Sequence, residues 1–374
     1  MSVPTAIRSI MFTWFPLIIR PRPAGLPLEI RVAELEALAR STPEHDRHDR
    51  ASHAAEILNK AALIASDCGL ADLAHSLCLQ QQDLFEQAKP LPVWCAKLAL
   101  QPVLNIARLR IREADSEGAY TLLDALFTAA RRRTSLLVDG HRIDLSKVTR
   151  APDDHQVVCS LIWATLLADG TRALALAGRW REAADHAARR RGVGQRLLDG
   201  RQAAILAHLH EDRADLATNM IESSSIIEPW EHAVQGLLRV LCSADAGERD
   251  RARPAMLRTI YTLIEQPDTT TAVARVRAGI ICLDLAGPNE TPDVLKLRAA
   301  VLHTASRDAY AARDALNHPD LRPVIATEQC EELAALLDPS GLDTGRIPPD
   351  LSTRVMTAVS QAEGLMAAAL GDER

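Results

Sequence analysis

The residues best suited to hold a metal ion are crowded into PEHDRHDRASH, where His45, Asp46, His48, Asp49 and His53 lie within nine positions. Imidazole nitrogens and carboxylate oxygens are ligands for zinc and other divalent ions. On a helix, His45, His48 and Asp49 fall near one face. The competing reading is a solvated first turn whose acids answer the helix dipole. We adopt that reading and assign no metal site. His208 and His210 stand two apart, which on a helix points them to different sides, so they form no chelate. RGVGQRLLDG contains a Gly-x-Gly, but no strand precedes it and the third glycine of a dinucleotide fingerprint is misplaced. A Walker loop, a GxSxG elbow, an HExxH pair and a paired-carboxylate arrangement are all missing from the sequence. No enzyme activity and no cofactor is assigned.

Charge is more informative than catalytic chemistry. Residues 131–150 and residues 179–201 each carry a net +4, which leaves the rest of the chain at −14. Arg131, Arg132, Arg133 and Arg142 lie in the first stretch, and Arg189, Arg190, Arg191 and Arg201 in the second. If the two stretches share one side of the fold, they form a basic patch for an acidic protein or peptide, because guanidinium groups grip carboxylates in bidentate fashion. The plainer reading is that arginines solvate helix C-termini, where cations are favoured. Gln202, Trp180 and Trp230 complete the candidate contacts, since they fall in or near the central part of the chain. The overall charge of −6 argues against a general nucleic-acid coat.

These side chains must be positioned by helices. Hydrophobic residues make up 47% of the chain but aromatics only 3%, so the core is built from Ala, Leu, Val and Ile, which suits close helix packing better than sheet. The seven scattered cysteines form no CxxC pair and read as thiols in a reducing cytoplasm. Residues 1–27 differ in character from the rest of the chain. An apolar run from Ile10 to Ile19 is interrupted by Pro16 and is far short of the ~20 residues that span a bilayer. No A-x-A site succeeds it, so it is read as a poorly structured, loosely docked segment, or an early start, rather than a signal peptide led by Arg8. Thr42-Pro43 and Thr291-Pro292 each place a capping residue before a proline at the first helical position. Gly69 marks a helix end, and Pro102 is expected to kink or split a helix. Asp139-Gly140, between short runs with β-branched residues, signals a hairpin at about 136–145. The expected domains are the poorly structured segment 1–27, a helical-repeat solenoid over 28–338, and a linker with a capping helix over 339–374.

A repeat underlies the helices. Gly178 and Ala183 stand five apart, and Asp212 and Ala217 repeat that step 34 residues later, the tetratricopeptide period. The same step is read at Gly69/Ala74, Ala114/Ala119, Gly247/Ala252 and Thr304/Ala309. SEGAYTLLDAL at 116–126 matches SRDAYAARDAL at 306–316 at six positions. A small residue near a helix start lets two helices cross closely. The expectation is an all-α, tetratricopeptide-like α-solenoid of antiparallel helix pairs.

The strings ASDCGLADLA, LNIARL, EGAYTLLDAL, GTRALALAGRW, RLLDGRQAAILA and EPWEHAV resemble a family of actinobacterial helical-repeat proteins over about residues 28–370. More distantly, the chain resembles the tetratricopeptide sensor half of bacterial regulators. Those usually carry a DNA-binding helix-turn-helix before the repeats, and too few residues precede the first helix pair here, so direct DNA binding is not expected. The resemblance implies a fold and no activity. The function expected is a non-catalytic scaffold for a protein or peptide. The alternatives are a regulatory sensor acting through a separate effector, and an accessory subunit of a peptide-modifying or biosynthetic enzyme.

Overall fold

The computed structural model describes residues 13–41 and 46–371. The Thr42-Pro43 cap, His45, Arg8 and the start of the Ile10–Ile19 run lie outside the described residues. Helices dominate, beginning with α1 (Leu28–Arg40), α2 (Arg47–Asp67), α3 (Ala71–Gln87), α4 (Val93–Arg112) and α5 (Ser116–Arg132). A hairpin comes next, β1 (Ser135–Val138) and β2 (His141–Asp144), with Val138 paired to His141 across Asp139-Gly140. Both turn residues have positive φ (47° and 87°), as a two-residue hairpin requires. Beyond it lie α6 (Pro152–Thr165), a π-helical turn (Leu166–Gly170) and α7 (Thr171–Leu176). The chain continues through α8 (Trp180–Arg189), α9 (Asp199–His210), α10 (Ala214–Glu222), α11 (Pro229–Leu241), α12 (Ala246–Ile264), α13 (Ala272–Ala286), α14 (Pro292–Ala305), α15 (Ala309–Leu316) and α16 (Thr327–Ser340). It closes with α17 (Pro349–Gly371). Pro102 neither ends nor splits α4, which runs unbroken through it.

Four helix connections share one geometry, dictated by backbone hydrogen bonding. Gly69, Ala114, Gly178 and Asp212 all adopt positive φ, between 57° and 76°. In each case the next N–H reaches the carbonyl five residues back: Leu70 to Ala65, Asp115 to Arg110, Arg179 to Leu174, and Arg213 to His208. This closes the helix end. That same residue then becomes the N-cap of the following helix, accepting from the N–H of Ala74, Ala119, Ala183 or Ala217. All four alanines are fully buried. The turns expected at Gly247 and Thr304 do not form. Gly247 lies inside α12 behind the Asp245 cap, and Thr304 lies inside α14. Ala252 is accordingly only half-buried, whereas Ala309 is buried as the first residue of α15.

The chain divides into two compact units that interleave in sequence. Unit one takes the N-terminal segment to Pro27 together with Leu174–Ser340; unit two takes Leu28–Ala173 and everything from Gly341. The breaks fall after Pro27, Ala173 and Ser340, so each unit is assembled from two separate stretches of sequence. In unit two, successive helices pack on one another from α2 to α6, and α17 returns to lie on α1, α2 and α3. Leu351, Val355, Val359 and Met366 carry the buried face of α17. The stretch Pro152–Leu176 is long and apolar enough to cross a membrane by length and composition. Within unit two its buried Val158, Ile162 and Leu166 join the hydrophobic core, and it packs on α4 and α5. In unit one, α8 packs on α9, α9 on α10, and α11 through α15 each on the next. Residues 13–27 form no helix or strand, but Phe15 and Leu17 join this core and Gly25 is buried.

Candidate functional site

The most developed recognition geometry lies in unit one, where a non-helical strap, residues 13–25, is held by side chains of α9, α13 and α15. Asp199 and Gln202 stand three apart in the first turn of α9, which puts them on one face. The Gln202 amide is completely buried and reads the backbone of Leu17 at both ends. Its Oε1 accepts the Leu17 N–H at 2.8 Å, and its Nε2 donates to the Leu17 carbonyl at 3.0 Å and the Leu197 carbonyl at 2.7 Å. The amide oxygen and one N–H thus hold the strap, and the other N–H ties Gln202 to the connection before its own helix. Asp199 Oδ2 receives Arg20 at 2.8 Å. The Arg22 N–H donates to the Thr270 carbonyl at 2.9 Å, and its guanidinium lies 3.7 Å from the centre of the Tyr310 ring, in cation–π range.

The start of α15 fixes the far end of the strap. Asp308 caps this helix by accepting the Tyr310 and Ala311 N–H groups on Oδ1, and it accepts the Gly25 N–H on Oδ2 at 2.8 Å. The Gly25 carbonyl in turn accepts from the Ala309 N–H at 3.1 Å. A Cβ on residue 25 would sit 2.9 Å from the backbone nitrogens of Ala309 and Tyr310, so only glycine permits this approach. At the other end, the Trp14 ring lies 5.8 Å from the imidazole of His318 and 5.8 Å from the guanidinium of Arg277, which Asp314 holds at 2.6 Å. His318 faces Asp284 at 3.2 Å, and burial pushes the Asp284 carboxyl up from its ordinary range despite the imidazole beside it. A cleft of about 590 Å³ opens beside Asp284, walled by Leu283, Val294, Leu321 and Val324.

The residues singled out from sequence divide between the two units. Arg131, Arg132, Arg133 and Arg142 lie in unit two and are exposed. Arg189, Arg190, Arg191, Arg201, Gln202, Trp180 and Trp230 lie in unit one. Both arginine runs do end helices, and Arg133 and Arg191 themselves occupy the left-handed closing position. Arg201 is buried and donates to the Gly194 and Met220 carbonyls and to Ser223 and Ser224, so its guanidinium ties α9 to the end of α10. Trp180 is 2% exposed, and Trp230 is 8% exposed with its indole N–H on Glu228. Gln202 holds the strap's main chain, so the peptide segment it grips belongs to its own chain. Asp199, Thr270, Asp308 and Tyr310 carry no sequence signal as contacts, except that Asp308 and Tyr310 fall in the repeat string SRDAYAARDAL.

Other chemistry is sparse among the described residues. Asp46, His48 and Asp49 bring their ligand atoms within 4.8 Å of one another, but all three are exposed and Asp46 is engaged as the α2 cap. His53 bonds the Leu38 carbonyl at 2.8 Å. Six of the seven cysteines are buried, and burial pushes the thiols of Cys68 and Cys78 up to about 11 and about 12, far from nucleophilic reactivity. In the hairpin, buried Lys89 joins Glu86 to the Asp144 carbonyl, and Arg110 holds Asp139 at 2.8 Å, so this insert is fastened to its helices. No protein-family model, curated protein or solved structure matches the chain.

Proposed function

We propose that the chain is a non-catalytic scaffold, a tetratricopeptide-like α-solenoid that holds a linear, non-helical peptide segment. The observation that carries this reading is the double hydrogen bond from buried Gln202 to the backbone of Leu17. A side chain that pairs with both the N–H and the carbonyl of one residue in another segment recognises a peptide whatever its side chains, and flanking contacts then supply selectivity. The repeated turn at Gly69, Ala114, Gly178 and Asp212 supports the repeat architecture. The exposed Arg131, Arg132, Arg133 and Arg142 are a second contact surface in this reading, suited to an acidic partner. The test is a displayed library of random twelve-residue peptides, panned against full-length chain carrying Trp14→Ala and Phe15→Ala to loosen the strap. Peptides should be enriched, and their capture should fall with Gln202→Ala. Enrichment no better than on an unrelated helical protein overturns the proposal.

A second reading, a sensor that answers a small molecule, is favoured by the cleft beside Asp284. Its buried acid meets His318, and His318 meets Trp14 of the strap, so an occupant of the cleft has a short route to the strap.

A further inference from the structure

The strap carries a pattern as well as a backbone. Its anchors run Trp14-Phe15-Pro16-Leu17, then Arg20 and Arg22, three and five positions beyond Leu17. Each meets a distinct feature. Trp14 meets the imidazole of His318 and the guanidinium of Arg277. Phe15, Pro16 and Leu17 are buried. Arg20 has a carboxylate, and Arg22 an aromatic face. The seat thus takes an aromatic and apolar run at one end and two arginines at the other.

The strap is also attached differently from ordinary core. Among the described residues it makes no helix or strand of its own, and no strand pairs with it. Its main chain is held at Leu17, Arg22 and Gly25, and Arg20 is half exposed at its carboxylate. Segments held by a few anchors open at a lower free energy than packed helices.

We infer that residues 14–22 are a cis-bound stand-in for the scaffold's ligand: the seat on α9, α13 and α15 takes from a partner protein a linear segment of the pattern aromatic–aromatic–proline–leucine followed by arginines three and five positions on, and the strap must leave for that segment to bind. This rests on the peptide-scaffold reading and adds the identity of the peptide and its competitor. The chemistry is competitive by construction, because Gln202 has no second set of groups with which to hold two backbones. A tethered segment competes at an effective concentration on the order of millimolar, so the intact chain resists all but concentrated or tight ligands.

The experiment uses a fluorescent peptide of residues 13–26 and the full-length chain. Fluorescence anisotropy should show weak binding to wild type, and binding stronger by roughly tenfold or more to the Trp14→Ala/Phe15→Ala chain, since each lost anchor weakens the internal competitor. Replacing the peptide's arginine that corresponds to Arg20 with glutamate should weaken binding, and Asp199→Lys should restore the glutamate peptide. In wild type, excess peptide should accelerate hydrogen exchange at the Leu17 and Arg22 amides, a readout that needs no strap variant to fold. Equal binding by wild type and the folded strap variant, or no change in those amides under saturating peptide, overturns the inference. If random peptides of unrelated pattern bind the strap variant while this one does not, the scaffold reading survives and the inference fails. If none binds, both fail.

Discussion

At the residue scale, two buried groups make sharp predictions. Gly25 is pressed against the start of α15, and a methyl group there must push backbone aside. Gly25→Ala should speed hydrogen exchange at the Leu17 and Arg22 amides by roughly tenfold or more, because overpacking of this kind costs about 1–3 kcal/mol. Unchanged exchange would mean the approach is looser than its distances say. Glu231 is the second case. Its side chain is fully buried, and burial alone pushes its carboxyl up. The hydrogen bonds from Arg196 and from the Glu228 and Ile227 N–H groups outweigh that and hold it below its ordinary 4.5. A depressed carboxyl stabilises the fold above its unfolded value and loses that contribution as pH falls through its folded value. Glu231→Gln should therefore lower the urea midpoint at pH 7, by about 1–3 kcal/mol of stability, and the gap from wild type should close as the pH drops below 4.5. A gap that stays constant across that range would remove Glu231 from the acid response.

At the element scale, the helix connections separate what sequence spacing can reveal from what it cannot. Ala119 is fully buried at the fourth position of α5, behind the left-handed Ala114, whereas Ala252 is half-buried inside α12. Ala119→Leu should cost about 1–3 kcal/mol, while Ala252→Leu should stay within about 0.5 kcal/mol of wild type, both read from chemical denaturation. Equal effects would deny the turn its packing role. Sequence spacing finds both alanines by the same five-residue rule, and only one belongs to the turn. Gly/Ala pairs five apart arise freely in an alanine-rich helix, and the rule holds no information about φ. Nearly every helix is legible, because periodicity, capping residues and glycine stops are local. The hairpin is legible for the same reason, since Asp139-Gly140 states its own turn. The seat for residues 13–25 is not. Gln202 meets Leu17 across 185 positions and Asp308 meets Gly25 across 283, and no local pattern links them. The prolines of the strap read as absence of structure, when what they exclude is only helix.

At the scale of the whole molecule, each unit is completed by a segment remote in sequence. Unit two needs α17, whose Leu351, Val355, Val359 and Met366 are buried and whose Arg354 meets Glu29 and Glu36 on α1. Removing Pro349–Gly371 uncovers the apolar faces of α1 and α2, and burial of a single large apolar side chain is worth roughly 1.5–3 kcal/mol. Hydrogen exchange by mass spectrometry should then show α1 and α2 losing protection while α11 to α14, which belong to the other unit, keep theirs. Loss of protection throughout would show that the two units unfold as one.

The strap's wiring has a consequence for synthesis. Gly25 leaves the ribosome 283 residues before the aspartate that will receive it. At roughly 5–20 residues per second, that is a wait of about 15 to 60 s. Through this interval Gly25 has no carboxylate to receive it and Trp14 has no His318 to pack on, Leu17 waits 185 residues for Gln202, and the first helices of unit two have no α17. The growing chain therefore carries an exposed apolar segment that a holding chaperone can take up until Asp308 and the helix it caps have been made.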